Sequence, residues 1–337
     1  MYPTPFFDLM PRRPLGEAPA CNAYAYATAT TAARLFRARL RHWPNAARPV
    51  TYNEKMFWRR VFDHDPAFHV YCDKLATKHV FARLRDPIET PKVLWVGQDP
   101  KHFPGDLMRP GVIAKMTAGS RQTWFFSTRR DARPAFEKEC RDWLARPFGT
   151  RHAEWAYLGI ERLLFAEEEI AGHRPQMDEL KVHLFGGETY YTVIYRDEKT
   201  PVSKSAIYDA EGRRLDVQTS AASKDPSRRL PPGHQVPACY GRAIRAAEEI
   251  ADGTDYLRVD FLVSEGRLYG GEITPYPTAG HMVNSDKAIM ADMSRRWDLR
   301  RSWFLKTPQV GFKRLCQSRM RAFVEAEQAT YARFDGA

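Results

Sequence analysis

The order of elements predicts an α+β fold. Two observations carry it: apolar strands come in hairpin-spaced pairs around Gly186-Gly187 and Gly266, and helical patterns fill 53–84 and the last ~40 residues instead of alternating singly with strands. A doubly wound parallel sheet needs a helical crossover between successive strands, and these pairs leave no room for one.

Along the chain, Leu35, Leu40 and Trp43 among Arg34, Arg37, Arg39 and Arg41 predict one basic amphipathic helix ending near Pro44-Asn45. Met56, Phe57, Trp58, Val61 and Phe62 continue in helical spacing to a break at Asp65-Pro66, and Asp73 suits the cap of a second helix. Val93 to Gly97 and Val112 to Met116 read as strands, followed by a charge-rich helix over Pro134 to Leu144. Leu163 to Ala166 reads as a strand stopped by Glu167, Glu168 and Glu169. Val182 to Phe185 and Thr189 to Tyr195 form a hairpin, a helix covers Cys239 to Ala251, and two strands surround Gly266.

Composition narrows the function classes. With 337 residues, 43% of them hydrophobic and 12% aromatic, the chain supports about two domains' worth of packed core at roughly 100–200 residues each and is not disordered. No stretch approaches the ~20 apolar residues of a membrane span. The amino terminus lacks a secretory pattern, so a cytoplasmic location is expected. Five cysteines, far apart and without a CxxC, predict neither a disulfide framework nor a cysteine zinc site, and reduced thiols. A net charge of +11 predicts an acidic partner, whether nucleotide, glycan, membrane surface or nucleic acid. The arginines are scattered in small clusters, which disfavours dedicated nucleic-acid binding.

The chemistry concentrates in the hairpin Tyr256 to Pro275. Strand alternation puts Leu257, Val259 and Phe261 on one face and Arg258 and Asp260 on the other. If Asp260 stands opposite Glu272, the turn centres on Gly266 and Arg258 faces Thr274. Opposed carboxylates with Cβ atoms roughly 5 Å apart repel unless a cation lies between them, and a bridging Mg²⁺ that completes its shell with phosphates is one such cation. Acids merely solvated or paired with Arg258 and Arg267 are the alternative. Gly270 and Gly271 predict close approach of a ligand. Upstream, Lys115 is a lone lysine in an apolar strand before the small loop Thr117-Ala118-Gly119-Ser120, a site for phosphate oxygens or else a lysine reaching solvent from an edge strand. The acidic hinge after Phe165, Glu167-Glu168-Glu169, is either a solvated loop or a segment offering backbone groups to an adenine edge and a carboxylate to ribose. No GxxxxGK[ST], GxSxG, HExxH or GxGxxG occurs.

In this order the segments resemble the ATP-grasp superfamily, and within it the TupA-like branch associated with teichuronopeptide and other envelope polysaccharides. The likeness runs over ~50 to 285: Asn53-Glu54-Lys55, Asp63-His64-Asp65-Pro66, Asp73-Lys74 with Lys78, the Lys115 strand, Glu154-Trp155 with Tyr157, Ala166-Glu167, Lys181 with Phe185, Arg258-Val259-Asp260, Gly271-Glu272-Ile273-Thr274 and Gly280. The Arg-x-Asp to Glu-x-Thr hairpin also looks like the metal-binding hairpin of D-alanine:D-alanine ligases. The resemblance implies ATP and Mg²⁺ held between two α+β lobes, with 1–50 a basic extension, 51–110 a helical pre-grasp region, 111–170 the amino-terminal lobe, 171–300 the carboxy-terminal lobe and 301–337 a basic helical tail.

It further implies Lys74 and Lys115 toward phosphates with the loop Thr117, Gly119 and Ser120, the hinge Glu167, Glu168 and Glu169 along adenine, Glu179 and Lys181 toward the nucleotide, and Asp260, Glu272 and Thr274 toward metal. Arg258 and Lys115 would stabilise developing charge. Thr274 stands where related ligases often have Asn, Ala118 replaces a His and Arg121 a Gly. The implied activity is carboxylate activation through an acyl-phosphate, then attack by an amine or hydroxyl on an acidic glycan or small-molecule carboxylate in envelope polysaccharide assembly. The alternatives are a kinase acting on a glycan, or a basic binding protein with a decayed ATP site. The basic first 50 residues suggest a peripheral contact with the inner membrane surface or a glycosyltransferase, or a helix packed on the body.

Overall fold

The computed structural model describes residues 19–129, 133–170, 177–198, 200, 202–284 and 286–335. Two antiparallel sheets organise it. The smaller joins β1 (Val93–Gly97), β2 (Val112–Met116), β3 (Thr123–Phe125) and β4 (Leu164–Glu168) in the order β1-β4-β2-β3. The larger joins β5 (Asp178–Phe185), β6 (Glu188–Arg196), β7 (Lys204–Tyr208), β8 (Tyr256–Ser264) and β9 (Arg267–Thr274) in the order β7-β6-β5-β8-β9.

Each sheet packs one face against a helix because its strands alternate. Val112, Ala114, Met116, Leu164 and Ala166 pack with Trp124 against Phe136 and Cys140 of the helix Arg133–Ala145. Leu180, Val182, Leu184, Leu257, Val259 and Phe261 pack against Ala243, Ile244, Ala247 and Ile250 of the helix Tyr240–Ala251, whose apolar residues repeat every three to four positions. The opposite face of the large sheet carries charged side chains and also packs Phe185, Tyr191, Val193, Ile207 and Tyr256 onto a helical body, and that of the small sheet carries Lys115 and Glu167 beside the buried Phe165.

A helical body holds the remaining core. The expected single basic helix is two, α1 (Pro19–Thr28) and α2 (Thr30–Leu40), and they lie on the body through Ala25, Ala32, Ala33 and Phe36. α3 (Tyr52–Phe62) starts with a capping box, in which Thr51 Oγ1 accepts from Glu54 N and Glu54 Oε2 accepts from Thr51 N, both at 3.2 Å. Every residue of α3 is buried, three cations included. Lys55 Nζ donates to Ser294 O and Trp297 O at 2.7 and 2.8 Å, where the helix Lys287–Arg296 ends and its carbonyls lack partners. Arg59 is paired with Asp255 and donates to Tyr256 O and Pro275 O. The short helices Ala67–Cys72 and α4 (Ala76–Ala82) follow; Asp73 Oδ1 accepts from Leu75 N and Ala76 N, the capping role its side chain suits.

Two expectations are corrected. Cys21 of α1 and Cys316 of the carboxy-terminal helix Gly311–Asp335 form a disulfide across 295 residues, against reduced thiols throughout; the packing of both chain ends on one body brings them within 5.8 Å between Cα atoms. Cys72, Cys140 and Cys239 are free. Gly270 and Gly271 serve packing within the chain. A Cβ on Gly270 would meet the Phe81 ring at 2.5 Å, and Gly271 is the extra residue of a bulge between the Asp260 and Phe261 pairs, where a Cβ would stand 3.0 Å from Asp260 O.

That bulge also explains the turn. Asp260 pairs with Glu272 and Arg258 with Thr274, the register in which the two acids stand opposite, but past the bulge Ser264 pairs with Arg267. The connection is the two-residue turn Glu265-Gly266, both at positive φ (53° and 75°), not a turn centred on Gly266.

Candidate active site

The polar face of the small sheet is a cationic wall. Lys115 extends from β2, which lies between β4 and β3 and is no edge strand. Its Nζ meets Glu167 Oε1 at 2.5 Å, and Lys78 Nζ, from α4, meets Oε2 at 2.7 Å. Burial alone would raise Glu167, but the two ammonium groups hold it below the usual carboxylate range. Burial pulls Lys78 down, offset by Glu167. Lys74 Nζ donates to Gly119 O at 2.5 Å, and Lys74 N donates to Thr117 O at 3.0 Å, pinning the small-residue loop to the helical body. Burial also pulls Lys74 down; Glu272 opposes this and Lys115 adds to it, which places Lys74 between the two sheets.

The polar face of the large sheet is a wall of mixed charge with acids in excess. Lys181 of β5, Asp260 of β8 and Glu272 of β9 stand in one row across three strands, and His183, Arg258 and Thr274 form the next. Arg258 donates Nε to Asp260 Oδ1 and Nη2 to Oδ2, both at 2.7 Å, a bidentate pair that fixes both side chains. Lys181 Nζ lies 2.8 Å from Glu179, 3.2 Å from Glu198 and 3.3 Å from Asp260. Burial disfavours charge on Lys181 and Arg258, yet their carboxylates outweigh it and raise both. Glu154, 4% exposed, is pushed up to about 7 by burial, against Arg60 and with help from Glu272.

The structure thus brings together Lys74, Lys115 and Glu167 on one wall, and Glu179, Lys181, Arg258, Asp260, Glu272 and Thr274 on the other. It sets other candidates apart. Thr117 Oγ1 is engaged with Glu161 O and Leu163 N, Ser120 and Glu168 are exposed, and Glu169 accepts from Ser127. Glu167 was expected along adenine; its oxygens are instead the counter-charge of two lysines. Thr274 Oγ1 accepts from Tyr276 N at 3.3 Å. Two members lay outside the sequence-derived site: Lys78, whose direction toward Glu167 depends on how α4 crosses the sheet, and Glu198, just past β6.

The acid pair is neutralised by the chain itself. Asp260 is held by Arg258 and Lys181, and Lys74 is within electrostatic reach of Glu272, so no metal is needed to make the pair tolerable. Among the described residues no three His, Cys, Asp or Glu converge as a metal cage. Two carboxylates in one row nevertheless match the way Mg²⁺ is held, through one or two carboxylates with phosphates and water completing the shell. The donor set fits a magnesium–phosphate group and not a bare structural ion.

Among solved structures the chain is similar to the D-alanine–D-alanine ligase from Bacillus anthracis complexed with ATP, at 16% identity and TM-score 0.36, covering 68% of this chain and 67% of that one. It is similar to the D-alanine–D-alanine ligase from Helicobacter pylori at 13% identity and TM-score 0.37, covering 67% and 61%. It is also similar to the ATP-grasp ligase PsnB complexed with a phosphomimetic variant of its minimal precursor, Mg and ADP, at 12% identity and TM-score 0.35, covering 78% and 61%. The chain spans between 61% and 67% of the length of these proteins. A search of curated proteins finds no match. The model of the TupA-like ATPgrasp family matches residues 54–293, which includes both walls, and the chain belongs to that family.

Proposed function

We propose that the chain binds magnesium–ATP between its two charged walls and uses it to join a carboxylate to an amine or hydroxyl. The observation that carries this reading is the division of charge. Lys78 and Lys115 share one carboxylate, Glu167, on the small-sheet side, where Lys74 is tied to a backbone carbonyl, while Lys181 and Arg258 face Glu179, Glu198, Asp260 and Glu272 on the other. A triphosphate matches the first wall and its metal the second.

In this reading Lys74, Lys78 and Lys115 hold phosphate oxygens, and Asp260 with Glu272 holds Mg²⁺. Bound magnesium–ATP supplies the phosphoryl group that converts a substrate carboxylate into an acyl-phosphate with a good leaving group. The chain's part is positioning and fixed charge. Asp260 keeps the Arg258 guanidinium oriented toward the face where charge develops, and Glu167 spaces Lys78 and Lys115. No side chain has to act as a covalent nucleophile.

The finer proposal is an acidic envelope glycan or related carboxylate as substrate, with the exposed Arg34, Arg37 and Arg41 around Trp43 contacting an anionic inner membrane surface or a glycosyltransferase. Among the described residues no helix is long and apolar enough to cross a membrane. Screening uronic-acid and amino-sugar glycans with each amino acid for ADP release, with mass analysis of products, tests ligation. An amide or ester supports it, and a stable phosphate ester contradicts it in favour of a kinase.

A further inference from the structure

Beside the two walls, a group of cation-capable side chains is buried without full hydrogen bonding. Arg60, in the last turn of α3, is 1% exposed. Its Nε donates to Met56 O at 3.3 Å and its Nη1 to His152 O at 2.8 Å, while Nη2 has no partner. His281 is 5% exposed with neither ring nitrogen bonded, and His152 Nδ1 is also buried and unbonded. The two rings lie 5.5 Å apart. Arg39, exposed on α2, is within electrostatic reach of both.

The backbone holds this group in place. Asn53 Nδ2 donates to Gly280 O and Met282 O at 2.8 and 2.9 Å, bracketing His281. Thr278, Ala279 and Gly280 all have positive φ (52°, 51° and 73°), and a Cβ on Gly280 would press on Met56 and approach Arg60 Nη2 to 3.4 Å. Conformations of this kind are strained for residues other than glycine, and persist where surrounding contacts impose them.

Burying a polar atom without a partner is costly, and four such atoms gather here. Burial, then Arg60 and Arg39, depress His152 to about 4 and His281 to about 3. At neutral pH each ring is therefore uncharged and has one N–H to donate, and the positive charge comes from the arginines. Water would satisfy single donors but supplies no charge for the buried guanidinium, whose acidic neighbour, Glu154, is itself pushed up to about 7 by burial. An oxyanion does both.

We propose that Arg60, His152 and His281 form a subsite for a carboxylate of the second substrate, one that is recognised and not activated, with Arg39 and the partly exposed His152 at its entrance. The link to catalysis rests on the ligation reading. Glu154 interacts electrostatically with Arg60 on one side and Glu272 on the other, and β9 runs from Glu272 into the loop that ends at His281. The substrate class is then a molecule with a second carboxylate, such as a dicarboxylic amino acid or a uronic acid bearing another acid group.

The test uses the full chain and malonate as probe, at ionic strength held constant with potassium chloride. Imidazole ¹⁵N resonances are assigned with His152→Ala and His281→Ala. Both rings are expected to shift saturably with malonate, and the double variant to bind it about tenfold or more weakly by calorimetry. Arg39→Gln, a surface change, is expected to weaken malonate a few-fold and gives the same reading should the double variant not fold. A shift that chloride reproduces, no saturable shift, or unchanged affinity in these variants overturns the subsite; sulfate binding as tightly as malonate overturns its carboxylate class. Magnesium–ATP titrated into the same wild-type sample separates the two readings. A malonate response without nucleotide binding contradicts the ligation reading alone, and nucleotide binding without a malonate response overturns the subsite alone.

Discussion

The two walls solve opposite problems with the same residue types. On the small sheet one buried carboxylate, Glu167, restrains two lysines while a third is tied to a backbone carbonyl, so positive charge is left over. On the large sheet the wall's two cations are already committed, Arg258 bidentately to Asp260 and Lys181 to three acids, and Glu179, Glu198, Asp260 and Glu272 outnumber them. Imbalance inside a folded protein is costly unless something answers it. Two complementary imbalances facing each other, with Lys74 feeling Glu272 across them, are what a metal–polyphosphate requires.

The largest expected effect is a control on that comparison. Breaking the Cys21–Cys316 link, by reduction or by Cys21→Ser with Cys316→Ser, should cost about 2–4 kcal/mol in chemical denaturation. It lies in the helical body, so magnesium–ATP affinity should be unchanged; a parallel loss would mean the walls depend on the chain ends.

Glu167→Gln should destabilise the fold by roughly 2 kcal/mol, less than a fully enclosed pair because Lys115 is 24% exposed, since two lysines would face each other without a counter-charge. With Glu167 held below the usual carboxylate range, its contribution is fully present above pH ~4.5 and is lost as pH falls through the lower folded value; Glu167→Gln should flatten that acid limb. Lys115→Ala should weaken magnesium–ATP about tenfold or more in calorimetry, while Lys181→Met, on the opposite wall, should weaken the nucleotide less.

The smallest effect concerns Glu154. Its folded value near 7 lies above that of an unfolded glutamate, so the native state retains the proton and stability should decline as pH rises from ~4.5 to ~7. Glu154→Gln should remove about 1 kcal/mol or more of that decline in melting experiments. An unchanged slope would place the proton elsewhere.

Much of the large wall was legible because strand alternation puts Arg258 with Asp260 and Glu272 with Thr274; their pairing was read with a turn centred on Gly266 and holds because the bulge at Gly271 offsets the two-residue turn. The bulge at Gly271 was not, since a glycine in a strand signals a kink, a bulge or a close neighbour equally well. The small wall was half legible. A lysine in an apolar strand announces Lys115, but its partner depends on how β4 and α4 meet, and an acidic triplet gives no sign that Glu167 alone turns inward. The disulfide joins residues at opposite ends of the chain, where sequence spacing carries no distance information. The Arg60, His152 and His281 group spans three separate segments and no motif marks it.

The central claim is that Asp260 and Glu272 receive magnesium carried by a triphosphate. Calorimetric titration of ATP with and without Mg²⁺ into the wild type and the Asp260→Asn, Glu272→Gln double variant, with folding followed by circular dichroism, tests it most directly. The account predicts that the double variant, still folded, loses the magnesium-dependent part of the affinity, about tenfold or more, and keeps the weaker metal-free binding to the lysines. Equal magnesium–ATP affinity in the two proteins would contradict it.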